Sequence, residues 1–527
     1  MLPKHFSRAS ALAVIAAIAG TAASTAEPVD HKQARALYFT HCAACHGSDR
    51  LGRQGPALLP ENLRRLRKSR ATKVIARGRP ATQMPGFGKT LSAVEIKGLV
   101  GYIFTKPKTP PRWTLKDMNA SHDVKLDPSR LPAKPVFKAD PLNLFIVVEA
   151  GDHHVTILDG DSFKPIHRFA SRFALHGGPK FSPKGRFVYF ASRDGWITKY
   201  DLYNLKTVAE IRAGINTRNL AISHDGLTVA VANYLPNTLV ILRAADLKPL
   251  KVIKVRDRNG KRSSRVSAVY QAAPRSSFVV ALKDIPELWE ISYEKTPPAR
   301  FSGFVHSNEQ GHEEAVTAKR FPVLRIDLKE PLDDFFFDQK YRHVFGSARD
   351  GKHAVVVNLD VRQPIASIDL PGLPHLGSGI TWTWQGRRVM ATPHLRGGAV
   401  SVIDMKNWKL IKRIKTLGPG FFLRSHEKSR YAFVDVFFGP NSEAVHVIDK
   451  KSLEIVKTLR PAPGKVAAHV EFTRDGRYAL VSIWHMEGAI VVYDAKTLKE
   501  VKRIPFRKPS GKYNVYNKIT RSEGTSH

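Results

Sequence analysis

The sequence predicts a mainly β, eight-bladed propeller over residues 138–527, preceded by a small all-α domain over 27–105. Three observations carry this reading: a strand-and-turn pattern that recurs after Phe145, helical periodicity before Phe104, and a proline-rich break between the two.

The first residues read as an export signal. Lys4 and Arg8 precede an apolar run from Ala11 to Ala23, with small residues around a cut near Ala23 or Ala26. Residues 1–26 are therefore taken as a signal peptide, and the mature chain is placed in the periplasm. Nothing later approaches the roughly twenty apolar residues that a membrane helix needs.

Cys42-Ala43-Ala44-Cys45-His46 uses the only two cysteines among 527 residues. A C-x-x-C-H string attaches haem covalently: the thiols of Cys42 and Cys45 add across its vinyl groups, and the His46 imidazole ligates the iron. Zinc would need two further ligands nearby, and a thioredoxin-like dithiol would need a βαβ setting. With both thiols committed to haem c, no disulfide framework remains. Met84 is the candidate second axial ligand, in the irregular, proline- and glycine-rich loop Arg79–Gly88; a core-filling methionine is the alternative. A helix follows, with Ser92 and Glu95 as a capping box, Leu91 and Ile96 as a hydrophobic staple, and Leu99, Val100, Ile103 and Phe104 at helical spacing. Together these features resemble a class I cytochrome c over about residues 30–105.

Residues 106–137 read as a stiff, extended linker, because Pro107, Pro110 and Pro111 remove backbone donors and no apolar periodicity supports a helix or a paired strand. Beyond it, apolar-Asp pairs mark a repeat at Leu158-Asp159, Tyr200-Asp201, Leu359-Asp360, Ile403-Asp404, Ile448-Asp449 and Tyr493-Asp494. Leu242-Arg243 and Tyr293-Glu294 are degenerate members. Most are spaced by about 40–45 residues, the length of a four-stranded blade, and the long gap after Tyr293 is read as an inserted loop around 307–314. Closure into a ring follows because each blade buries its faces only against its neighbours.

A hydrophobic content of 43% allows a large core, while the formal charge of +38 is spread over most of the chain. That distribution argues for a global field rather than a nucleic-acid-binding arm; no nucleic acid partner is expected. An anionic ligand, an acidic redox partner and an anionic membrane surface are the alternatives to a merely solvated basic surface.

Four propeller histidines stand in loops or strand starts suited to a shared central site: His176, His375, His394 and His469. Structural or surface roles are the alternative for each. The segments Ala174-Leu175-His176, Gly185-Arg186-Phe187, Ser192-Arg193-Asp194-Gly195, Pro374-His375, Ala391-Thr392-Pro393-His394 and the terminal Gly511–Asn517 resemble the cytochrome cd1 group, whose propeller holds non-covalent haem d1. The resemblance implies His176 as proximal ligand of haem d1 iron and His375 as a distal histidine. It places Ala272–Ser276, which lacks an imidazole, where nitrite reductases of the group carry a second distal histidine. The pattern is thus more similar to the group's biosynthetic dehydrogenases. It implies oxidation of a propionate of dihydro-haem d1, bound as substrate, to acrylate, with electrons passed to the covalent haem c. His375 and His469 would act on protons, and Arg193 and Arg218 would hold carboxylates, solvated arginines being the alternative. Implied partners are the haem d1 precursor, a periplasmic electron acceptor, and cytochrome cd1 nitrite reductase or haem d1 assembly proteins. A cd1-type nitrite reductase and a non-enzymatic haem d1 carrier stay open.

Overall fold

The computed structural model describes residues 29–53, 55–64, 66–78, 84–296, 320–520 and 523, together with the backbone of 303–306 and 313–316. The signal peptide 1–26 lies outside the described residues.

The N-terminal part is helical: α1 (His31–His41), α2 (Ala43–His46), α3 (Pro60–Leu63), α4 (Lys68–Arg77) and α5 (Ala93–Ile103). Asp30 and Gln33 cap α1 reciprocally, and the expected Ser92–Glu95 box starts α5. The face of α5 carrying Ile96, Leu99, Val100 and Ile103 packs on Ala34 and Tyr38 of α1, with Leu63 and Ile75 closing the core.

Among the described residues, four-stranded antiparallel sheets form eight blades around one axis. Numbered along the chain, their innermost strands are Lys180–Phe181 (blade I), Asn216–Ile222 (II), Val266–Ala272 (III), Leu332–Phe337 (IV), Ile380–Trp384 (V), Leu423–Arg424 (VI), Ala467–Phe472 (VII) and Pro509–Asn514 (VIII). Blade VIII is composite: its inner strand, the last among the described residues, pairs with Leu144–Glu149, so that Phe145 faces Asn514 and the ring closes. The apolar-Asp marks fall at or beside the ends of third strands. The apolar residue fills the space between blades, while the carboxylate accepts turn amides, as Asp404 does from Lys406 and Asp494 from Thr497.

Two expectations are corrected. The segment after Phe104 is not a bare connector: Thr114 and Asp117 cap α6 (Leu115–Ala120), whose Met118 is fully buried on blades I and II, and Asp123–Val124 adds a fifth strand to blade I. Prolines on both sides hid that helix. The insertion after blade III's third strand carries two paired strands, Gly303–His306 against Glu313–Val316, so Glu313 and Glu314 are strand rather than loop residues; 307–312 lie outside the described residues.

The helical part docks on blades I and II. Arg212, almost fully buried, donates from Nη1 to the carbonyl of Gly52 (3.2 Å), from Nη2 to that of Leu51, and from Nε to that of Asp194 (2.8 Å). Trp113 lies over its guanidinium, and Ala57 and Leu59 pack on Ile215.

Candidate functional site

The helical site is built on one turn. Cys42 ends α1, and the amide of His46 donates to its carbonyl at 2.9 Å, which brings both cysteines and the imidazole together. His46 is buried, with Nδ1 2.8 Å from the carbonyl of Pro56. That contact places the proton on Nδ1 and leaves the Nε2 lone pair for a metal. Burial lowers the imidazole's pKa, partly opposed by the Pro56 bond, and burial with the neighbouring Cys45 pushes the Cys42 thiol up to about 11. A Cβ on Gly55 would come within 2.7 Å of the ring, so Gly55 forms part of its cradle. Met84 is half-buried at the start of a loop that returns to α4, with the Phe87 amide bound to the Ile75 carbonyl. A cradled imidazole in this tautomer beside two thiols fits a c-type haem.

The second site stands on the propeller axis, at the end where the inner strands begin. His176 and His375 hold equivalent positions there. Each follows a residue bridged to its blade's second strand (Leu175 to Ser192, Pro374 to His394), and each donates its amide to that strand, to Ala191 and Pro393 respectively, at 2.8 Å. They belong to blades I and V, four places apart in a ring of eight, so they face each other across the axis. Each Nδ1 is held by a carbonyl of the following blade: Arg218 for His176 (2.7 Å) and Phe421 for His375 (2.6 Å). Both Nε2 atoms therefore carry the lone pair. The glycines after His176 serve the chain's own close approach: Gly177 and Gly178 have φ of +82° and +70°, and added Cβ atoms would meet Asn219 and Tyr513.

Aromatic rings line one side of the space. Phe421 lies 4.2 Å from the His375 ring centroid, Phe422 lies 4.6 Å from that of His469, and Tyr513 packs on His469 from blade VIII. His469 sits at a β-bulge with φ +55°, an uncommon conformation for a residue with a side chain, and the bulge re-aims it relative to Ala468 and Val470. The buried Asp435 fixes this corner by accepting the amides of Phe421, Phe422 and His469, and burial pushes its pKa up to about 6.

Cationic groups occupy the opposite side. Arg218 donates to the Ser267 carbonyl, pairs with Asp334 at 3.5 Å, and sits against the His176 ring with Nη1 3.3 and 3.4 Å from its nitrogens. Arg193 lies in the adjoining turn, bound through its amide to Ala174. Lys283 pairs with Asp333 nearby. Burial lowers the pKa of His375, partly opposed by Asp334, and lowers that of His469 further, with Lys512 and Arg424 adding to the effect. Both imidazoles are neutral near pH 7.

His394 is not equivalent to the other histidines. It is fully buried, its Nε2 lies 2.9 Å from Ser401 Oγ, and burial takes its pKa down to about 4. The stretch Ala272–Ser276 forms the turn between the first two strands of blade III, at the far end of the axis, so its lack of an imidazole says nothing about this site. A second imidazole, that of His469, stands on the same aromatic side, linked to His375 through the packed rings of Phe421 and Phe422. Sequence reading also passed over Arg424, Asp435 and Lys512. Strand alternation toward the axis was the available signal for Lys512, which follows Gly511 in a strand that closes the ring.

Residues 139–518 match the model of the cytochrome D1 heme domain, and residues 29–103 match that of the cbb3-type cytochrome c oxidase subunit III. The chain is 56% identical to dihydro-heme d1 dehydrogenase of Pseudomonas aeruginosa, over 93% of this chain and 95% of that protein. It is 27% identical to nitrite reductase of Stutzerimonas stutzeri, over 95% of each. A solved structure of the dihydro-heme d1 dehydrogenase NirN in complex with DHE superposes with a TM-score of 0.86 at 55% identity, over 92% of this chain and 99% of that one. The overall architecture thus has its counterpart in that solved structure, and with the family model matching residues 139–518 the chain belongs to the cytochrome d1 family.

Proposed function

We propose that this protein is a periplasmic dehydrogenase of haem d1 biosynthesis, oxidising one propionate of dihydro-haem d1 to acrylate. The observation that carries the reading is the opposed pair His176 and His375, each with Nδ1 anchored on a carbonyl and Nε2 turned to accept. His176 binds the iron of the substrate. His375, neutral at working pH, takes a proton from the propionate chain, and His469 orients that chain or passes the proton on. Arg193 and Arg218 hold carboxylates, and Phe421 and Phe422 flank the flat ring. The division into 1–26, 27–105, 106–137 and 138–527 serves as the working domain map.

In the helical domain, Cys42 and Cys45 would attach haem c, and His46 and Met84 would hold its iron. When bound, that group supplies a one-electron acceptor within the same chain. A second reading, a cd1-type nitrite reductase, draws support from the two imidazoles His375 and His469 on one side of the axis. The optical spectrum separates the two. The purified protein should show haem c alone, then take up dihydro-haem d1 and develop the red absorption of haem d1 under an oxidant. Haem d1 already present after purification, and turned over with nitrite, would establish the second reading instead.

A further inference from the structure

We propose that Glu471 and Lys518 form a proton exit running from His469 along the propeller axis to a cavity at its far end. The proposal rests on the dehydrogenase reading above. Turning –CH2–CH2–COO⁻ into –CH=CH–COO⁻ breaks two C–H bonds and forms one C=C π bond, releasing two protons and two electrons. The electrons leave singly to a one-electron acceptor. The protons need a separate way out, because a flat macrocycle seated between His176 and His375 closes the end by which it entered.

A chain of ionisable groups leads the other way. His469 and Glu471 are both fully buried on the inner strand of blade VII, two residues apart across the bulge, and the charge of Lys518 is felt at the His469 imidazole. His469 Nε2 is buried without a hydrogen-bond partner. Beside them, Lys512 from blade VIII donates to the His469 carbonyl and to Ser482 Oγ, and burial holds its pKa well below the usual lysine value. Glu471 accepts from the Phe472 amide and from Asn517 Nδ2 through Oε1, which leaves Oε2 facing Lys518 Nζ at 3.4 Å. Lys518 belongs to α7 (Val515–Thr520), the helix that follows the closing strand. Burial takes its pKa down to about 8, despite the Glu471 partner.

Lys518 also lines a cavity of about 290 Å³ at the far end, with Lys180, Tyr270, Gln271, Gln339 and Thr520. The space mixes these polar groups with apolar ones such as Phe181, Ile222 and Phe336, and its volume is room enough for several waters. A proton accepted by Glu471 passes to Lys518, whose lowered affinity returns it to water there. Both are relay residues acting through His469; neither touches the substrate.

The test uses the full chain carrying haem c, dihydro-haem d1 and an excess of a one-electron oxidant. Single-turnover oxidation is followed optically, with proton release read by an indicator dye and substrate affinity titrated separately. Glu471→Gln and Lys518→Met should keep affinity within about twofold, slow oxidation and proton release together by about tenfold or more, and recover on addition of imidazole or acetate. Lys518→Arg is the discriminating variant, since guanidinium keeps the charge and the ion pair but does not give up its proton. The relay requires it to be slow; full-rate oxidation by Lys518→Arg or by Glu471→Gln overturns the proposal. Loss of affinity in step with rate, without rescue, overturns it too and makes the pair structural. Wild-type protein that leaves dihydro-haem d1 unchanged would refute the dehydrogenase reading instead.

Discussion

At the scale of single residues, the site depends on two histidines in the same local frame that do different work because of what surrounds them. His176 has the Arg218 guanidinium against its ring, whereas His375 lies among Phe421 and its aromatic neighbours. His176→Ala should weaken substrate binding or change the spin state of the bound iron. His375→Ala should keep affinity and lose about 10²–10⁴-fold in turnover, measured by titration and single-turnover oxidation respectively. The pH sign follows from burial: with its pKa below 6.5, His375 stays neutral as pH falls through that value, so the acid limb of the wild-type rate lies below 6.5. His176 and His375 were legible in the sequence because each stands within two residues of glycine in a short loop before an inner strand. The segment at 272–276 was misplaced because loops between blades and turns within them alternate ends of the axis, while both read as Gly- and Pro-rich punctuation. Arg424 and Asp435 were not legible at all: a buried charge and a solvated one are written with the same letter, and only the strand directions reveal which points inward.

The blades themselves were readable because a propeller repeats one physical solution. Every apolar-Asp pair lies at or just beyond the end of a third strand, and the repeat survives even where Arg243 or Glu294 replaces the aspartate. The docking of the helical domain was not readable, since it rests on carbonyls. Arg212 holds Leu51 and Gly52, in the loop between His46 and Pro56, while Trp113 donates from Nε1 to the Arg212 carbonyl at 2.7 Å. Hydrogen bonds to a charged donor contribute about 1.5–3 kcal/mol each. Arg212→Met should therefore leave both domains folded yet loosen their contact. Limited proteolysis should cut the 106–113 connector faster than in the wild type, and transfer of electrons from the propeller site to haem c should slow. An unchanged cleavage rate would show that Ala57 and Leu59 on Ile215 suffice to hold the domains.

For the whole molecule, a charge of +38 is a statement about encounter rather than fold. A substrate bearing several carboxylates should bind faster at low salt, with the association rate falling by roughly tenfold between 0.01 and 0.15 M ionic strength while dissociation changes little. Stopped-flow binding across that range checks it, and a flat association rate would confine the useful charge to the site's own arginines. Ring closure has a further consequence. On its inner side Leu144–Glu149 pairs with Pro509–Asn514, which brings Lys512 and Tyr513 to the axis. The helical core of Tyr38, Ile96 and Tyr102 is complete within its own residues and can form while the ring is still open. The axial chamber cannot, because one of its walls is supplied by Pro509–Asn514, a strand made after those of the other blades. A copy broken off before Pro509 would keep its helical domain and leave the propeller ring open at blade VIII, so that on the proposed function synthesis past that strand is itself a condition for loading substrate.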